Sequence, residues 1–287
     1  MSHTTGVDAK GHYFVPAASH YSTTLSIGIF LMALGLILKV NAMPEGAWAM
    51  PVGAAMIVYV LFGWFGEIIH ENLNGSYSLW EDRSYRTGMV WFIFSEVMFF
   101  ACFFGVLYYA RRIALPELAS YEEALNPYMG FTAAWPSSGP MGDPFTPMGP
   151  WGIPAVNTLL LLTSGATLTW AHWGLIKNNR THLIVGLALT VLLGAIFLGF
   201  QAYEYAHAYS ELGLTLGAGI YGATFFILTG FHGMHVTLGT IMLIVILARC
   251  MKGHFSEHNH FAFEAVAWYW HFVDVVWLIL FVFVYWL

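Results

Sequence analysis

Long apolar runs and short polar connections alternate along this chain of 287 residues. A bilayer core needs about 20 consecutive apolar residues in a helix. Seven runs meet that length, near residues 22–40, 50–69, 88–110, 153–175, 183–203, 220–248 and 261–287. The sixth and seventh are longer than a perpendicular helix needs, which predicts tilt or protrusion from the bilayer. The pattern predicts an all-α integral membrane protein, one transmembrane domain over residues 1–287. One connection breaks the rhythm. Residues 112–152 hold seven of the 11 prolines, with the tract "PSSGPMGDPFTPMGP". Proline lacks an N–H and fixes φ, so no regular helix or central strand is expected there. No internal repeat is visible, and the repeated architecture of many transporters gains no support. Glycines recur along span six at Gly219, Gly222, Gly230 and Gly233, and "TSGAT" marks span four. Small residues at such positions predict close helix packing.

Composition agrees with the membrane reading. Apolar residues make up 58% of the chain and charged residues 9%, against about 25% charged in a soluble domain. The formal net charge is −6 and basic residues are scarce, so nothing points to nucleic acid. Cys102 and Cys250 lie in or beside apolar runs and read as small packers. The first twenty residues are polar and show no secretory signal. With the N-terminus inside, the inner segments hold Lys10, Arg83, Arg86, Lys177, Arg180, Arg249 and Lys252. The outer segments then hold Lys39, Arg111 and Arg112. This asymmetry predicts a cytoplasmic N-terminus and an outer C-terminus.

Ionisable groups at bilayer depth cost about 2.5–3.5 kcal/mol each and persist where they are paired, wetted or used. Glu96 stands in "WFIFSEVMFFACFFG", about nine residues into span three, or roughly 13 Å deep. It fits either an interhelical hydrogen bond or a proton-relay or lipid-headgroup site. "TGFHGMH" sets His232 and His235 on one face of span six. They fit packing histidines bonded to Ser95, Glu96 or backbone carbonyls, or two ligands of a metal that needs further partners. "WYWHFVDVVW" sets His271 and Asp274 one turn apart in span seven, where they can pair with each other. At the inner ends, Arg249 and Lys252 of span six, with Trp64 and Glu71 of span two, suit lipid phosphates or ordinary snorkelling. "HFSEHNH" carries His254, His258 and His260 in a loop without cysteine partners, which argues against zinc. His3 and His12 on the tail read as solvated groups able to collect protons. No metal ligand set, C-x-x-C-H motif, phosphate loop or catalytic triad is legible.

The motifs "WFIFSEVMFF", "NTLLLLTSGATLTWAH", "YGATFFILTGFHG", "GFHGMHV" and "FEAVAWYWHFVDVVWLILFVFVYW" together resemble subunit III of the haem–copper cytochrome c oxidases. The match runs from about Tyr85 to the C-terminus and is weaker before it; the long outer loop looks bacterial. The resemblance implies seven transmembrane helices in two groups, 1–2 and 3–7, forming a V-shaped lipid-binding cleft. It implies a chain with no catalytic centre, haem or metal of its own, packed on subunit I within a proton-pumping oxidase of aerobic respiration. Haem A and copper are expected in the partners, subunits I and II, with cytochrome c reached through subunit II and a small subunit IV as a further candidate. The chain would then bind phospholipids and support proton uptake, oxygen access and stability of the complex in a bacterial inner membrane. Glu96 matches the family's intramembrane glutamate. Arg249, Lys252, Trp64 and Glu71 match positions near the cleft lipids. Rival readings are subunit III of a quinol oxidase or a related reductase, a proton or ion transporter, and a membrane metalloenzyme using His232, His235, Glu96 and His271.

Overall fold

Hydrocarbon offers no partner for a backbone N–H or C=O, so a spanning chain closes its hydrogen bonds within helices or a closed barrel. The computed structural model, which describes residues 18–120 and 131–287, takes the helical solution throughout the described residues. The expectations for His3, Lys10 and His12 fall outside them. Among the described residues, seven helices are long and apolar enough to cross a membrane. They are α1 (Tyr21–Val40), α2 (Gly46–Leu73), α3 (Leu79–Tyr109), α4 (Ile153–Ile176), α5 (Arg180–Ser210), α6 (Gly219–Met251) and α7 (Phe261–Leu280). A π-helical turn, Ala110–Ala114, and a short tail, Leu115–Ala119, prolong α3, and π-helical Phe281–Trp286 prolongs α7.

Several helices outrun their apolar stretch. α3 starts at Leu79 rather than near Gly88, and α5 continues to Ser210 rather than stopping near Tyr203. Helix hydrogen bonding continues wherever nothing breaks it, whether or not the side chains are apolar. Pro116 falls directly after the π-helical turn, at the start of the tail.

The chain divides into two compact units, one ending at Tyr85 and the other beginning at Arg86. In the first, α1 and α2 pack along glycines. A Cβ on Gly53 would lie 2.6 Å from the Gly28 carbonyl oxygen, and one on Gly46 would lie 2.8 Å from that of Gly35. Backbones come this close only where side chains are absent.

The second unit is a bundle around α7. Trp270 is fully buried. Its ring lies between Gly194 of α5 and Gly239 of α6, whose added Cβ atoms would meet it at 2.7 and 2.8 Å. Its Nε1 donates to Ser164 Oγ of α4 at 2.9 Å, and about two turns on, Trp277 Nε1 donates to Thr158 Oγ1 at 2.9 Å. Trp270 thus fills a gap left by two glycines, and each indole satisfies its one donor on α4. α3 meets the bundle through rings: Phe99 and Phe103 against Phe231, Phe100 against Phe272, and Phe92 against Tyr269. The proline-rich segment packs at the opposite end from the α6 C-terminus. Phe145 stacks on Tyr221 at 5.2 Å, the Tyr221 N–H donates to the Ser137 carbonyl, and the Thr146 N–H donates to that of Leu212.

Gly239→Ala pushes a methyl into the Trp270 ring and should cost about 1–3 kcal/mol of stability. Gly199→Ala, with nothing within 4 Å of the new Cβ, should be neutral or stabilising. Thermal unfolding of the detergent-purified protein checks the pair; equal midpoints would contradict the packing described.

Candidate functional site

The polar groups of the second unit concentrate at three levels. The middle level contains Glu96. This side chain projects from α3 beside Ser95, whose own hydroxyl turns back to the Phe92 carbonyl. Glu96 Oε2 lies 2.9 Å from His235 Nε2 of α6. His235 Nδ1 lies 2.6 Å from the Phe231 carbonyl, which only accepts, so Nδ1 carries a hydrogen. One proton therefore remains for the carboxyl–imidazole contact. Held by Glu96 it makes a neutral pair; held by His235 it makes an ion pair. Both arrangements have zero net charge and both close the hydrogen bond. The side chains are 22% and 6% exposed, with Phe99 and Phe100 flanking the imidazole.

The other two singled-out groups on the neighbouring helices take different partners. His232, fully buried, donates from Nε2 to the Val273 carbonyl of α7 at 3.2 Å and packs against Phe197 and Trp277. His232 and His235 share a helix face in sequence, yet one is bound toward α7 and the other toward α3. His271 Nδ1 stands 3.8 Å from Asp274 Oδ2, and its Nε2 lies 3.5 Å from Thr169 Oγ1. Asp274 is buried over Gly165, where a Cβ would approach its carboxylate to 2.6 Å.

The second level, at the C-terminal ends of α4 and α6, is basic. Arg249 is buried, at 8% exposure, with its guanidinium 4.5 Å from the centre of the Phe255 ring. Lys252 caps α6 and is exposed. Arg180 donates to the Met251 carbonyl at 2.6 Å, and Lys177 caps α4. At the same end Arg86 of α3 pairs with Glu264 in the first turn of α7. The sequence reading counted Arg86 as a loop cation; the extended α3 makes it helical. In the first unit, Trp64 is 42% exposed and stacks on Tyr21. Glu71 accepts from the Tyr77 hydroxyl at 2.5 Å. Burial, with that bond, pushes the Tyr77 hydroxyl above its usual range.

The third level was not singled out in sequence. Glu204 is 1% exposed and accepts from Tyr285 at 2.6 Å; Gln201 of α5 and Asn157 of α4 are buried as well. Glu204 falls one residue past the apolar run that marks span five, which is why hydropathy places it outside. A spacing of three and then four positions, Gln201 to Glu204 to Ala208 on one helix face, was the signal available.

The arrangement in the second unit is one in which intramembrane polar groups answer one another across helices α3, α4, α6 and α7. The family model for cytochrome c oxidase subunit III matches residues 11–287. The chain belongs to the cytochrome c oxidase subunit III family. Among curated relatives, cytochrome c oxidase subunit 3 of Prototheca wickerhamii is 41% identical over 261 residues, 91% of each chain. That of Marchantia polymorpha is 40% identical over 262 residues, again 91% of each, and that of Halichoerus grypus 39% over 275 residues, 96% of each. Membership of the subunit III family makes the chain one part of a multi-subunit oxidase of the respiratory chain, and a multi-pass membrane protein.

Glu96→Gln should preserve the contact, because an amide donates to His235 Nε2. Glu96→Ala strands that nitrogen and should cost about 1–3 kcal/mol more than the Gln variant. Thermal unfolding of both variants is the check, and equal losses would contradict a bonding role.

Proposed function

We propose that the chain is the non-redox core subunit of a haem–copper cytochrome c oxidase, seated on subunit I. Haem A and copper would lie in subunits I and II, electrons would arrive from cytochrome c through subunit II, and a small subunit IV is a further candidate neighbour. The observation that carries this reading is the Glu96–His235 bond. Three of the four ring nitrogens of His232 and His235 are engaged, and the bonds to Val273 of α7 and Glu96 of α3 make these histidines interhelical ties. Glu96 is then a half-buried polar anchor rather than a catalytic acid.

Phospholipid binding follows from the chemistry of the helix ends. Arg249, Lys252, Arg180 and Lys177 gather at one end of the second unit, and cations at that level hold lipid phosphates. Trp64 and Glu71 at the end of α2 suit the same role in the first unit. Oxygen partitions into hydrocarbon, so ordered lipid supports its delivery to a buried reaction centre. We also infer a bacterial cell membrane with a cytoplasmic N-terminus, the orientation favoured by the basic residues. That orientation sets the basic end on the cytoplasmic side, where a proton-uptake path in subunit I would open.

Gentle detergent purification of the tagged chain tests the proposal. Haem A absorbance and two further large subunits should co-purify; recovery of the chain alone from intact membranes would overturn it. Within that assembly, Glu96→Ala should reduce retained phospholipid or docking more than initial turnover. A collapse of turnover with lipid and assembly intact would make Glu96 catalytic.

A further inference from the structure

We propose that His172, His260 and Glu264 form a binding site for one divalent transition-metal ion of the zinc type at the basic end of the second unit. They come from separated parts of the chain. His172 lies near the end of α4, His260 immediately precedes α7, and Glu264 lies in the first turn of α7. Their ligand atoms lie within 4.8 Å of one another, and among the described residues no other group of three or more such side chains does so. His260 Nε2 is 3.2 Å from Glu264 Oε1, and His172 Nε2 is 3.9 Å from the same oxygen.

The surroundings orient these atoms as ligands. The Ser256 carbonyl lies 3.0 Å from His260 Nδ1, which must donate to it. The lone pair of the neutral ring therefore sits on Nε2, facing Glu264. This is the outer hydrogen bond that metal-binding histidines ordinarily make. His172 Nε2 is buried and has no hydrogen-bond partner, so it is a nitrogen prepared for a ligand it does not find in the protein. Arg86 engages Oε2 of Glu264 and leaves Oε1 to the imidazoles. The three side chains are 26%, 11% and 16% exposed, which leaves an approach for the ion and for a water as fourth ligand.

Two imidazoles and one carboxylate suit zinc and not magnesium, which prefers oxygen ligands in an octahedron. Arg86 adds a positive charge beside the ion, so affinity should be of the order of micromolar, well below that of closed structural zinc sites. Binding should weaken in acid, because a protonated imidazole has no lone pair to give a metal. A bound ion would tie the end of α4 to the start of α7.

The test uses the assembly purified with the full chain, stripped with chelator and titrated with zinc chloride against a competing indicator. Zinc should bind saturably at one site that is lost or weakened at least tenfold in His172→Gln and in His260→Gln, and excess magnesium should not displace it. Zinc K-edge absorption of the unmutated assembly at one equivalent should show two imidazoles at about 2.0–2.1 Å. Unchanged affinity in both variants, or an edge spectrum without imidazole scattering, overturns the proposal. The spectrum decides the matter even if the variants do not assemble, and neither readout depends on turnover.

Discussion

A polar side chain inside a bundle of apolar helices has nowhere to turn except another helix. Glu96 meets that constraint with His235, and the contact links α3 to α6 where the two helices otherwise meet through phenylalanine rings. Ring-to-ring contact is adhesive but permissive, because rings slide. A 2.9 Å hydrogen bond between a carboxyl and an imidazole is directional. It specifies one register of α3, and with it the placement of Arg86 opposite Glu264 at the end of the same helix. The zero net charge of the pair lets it persist at low dielectric, where a lone carboxylate would not.

The rest of the bundle obeys the same rule with weaker groups. Trp270 and Trp277 bring large rings and one N–H each, and α4 answers with Ser164 and Thr158. Tyr285 answers Glu204, and Tyr205 answers Thr229 at 2.6 Å. Gly194 and Gly239 supply the space that the Trp270 ring occupies. Where lipid competes with protein for every apolar surface, close fit and hydrogen bonds decide which helix neighbours which.

The spans were legible because hydrophobicity over about 20 residues is a strong signal. Their ends were not, because a helix can continue through polar residues once it leaves hydrocarbon, as Leu79 to Thr87 and Glu204 to Ser210 do. Glu96 was visible as a charge in an apolar run, and it stood among the partners considered for the span-six histidines, beside Ser95 and backbone carbonyls. His172 and Glu264 carried no such mark. One sits in "WAHW", the other in "FEAVAW", and nothing in either stretch says that 92 residues of chain fold back to bring them together. His260 was seen but dismissed for want of cysteines, since its true neighbours lie on other helices. The fate of Arg249 was also hidden: its position at a helix end suggested a snorkelling cation, and its burial over Phe255 depends on the loop that follows.

The most direct measurement is a double-mutant cycle on the unfolding of the purified protein, combining Glu96→Ala with His235→Ala. A shared interhelical bond predicts a coupling energy of about 0.5–2 kcal/mol, so that the double variant loses less than the sum of the singles. Strict additivity would mean that the two side chains act independently, and that what holds α3 to the bundle is something else.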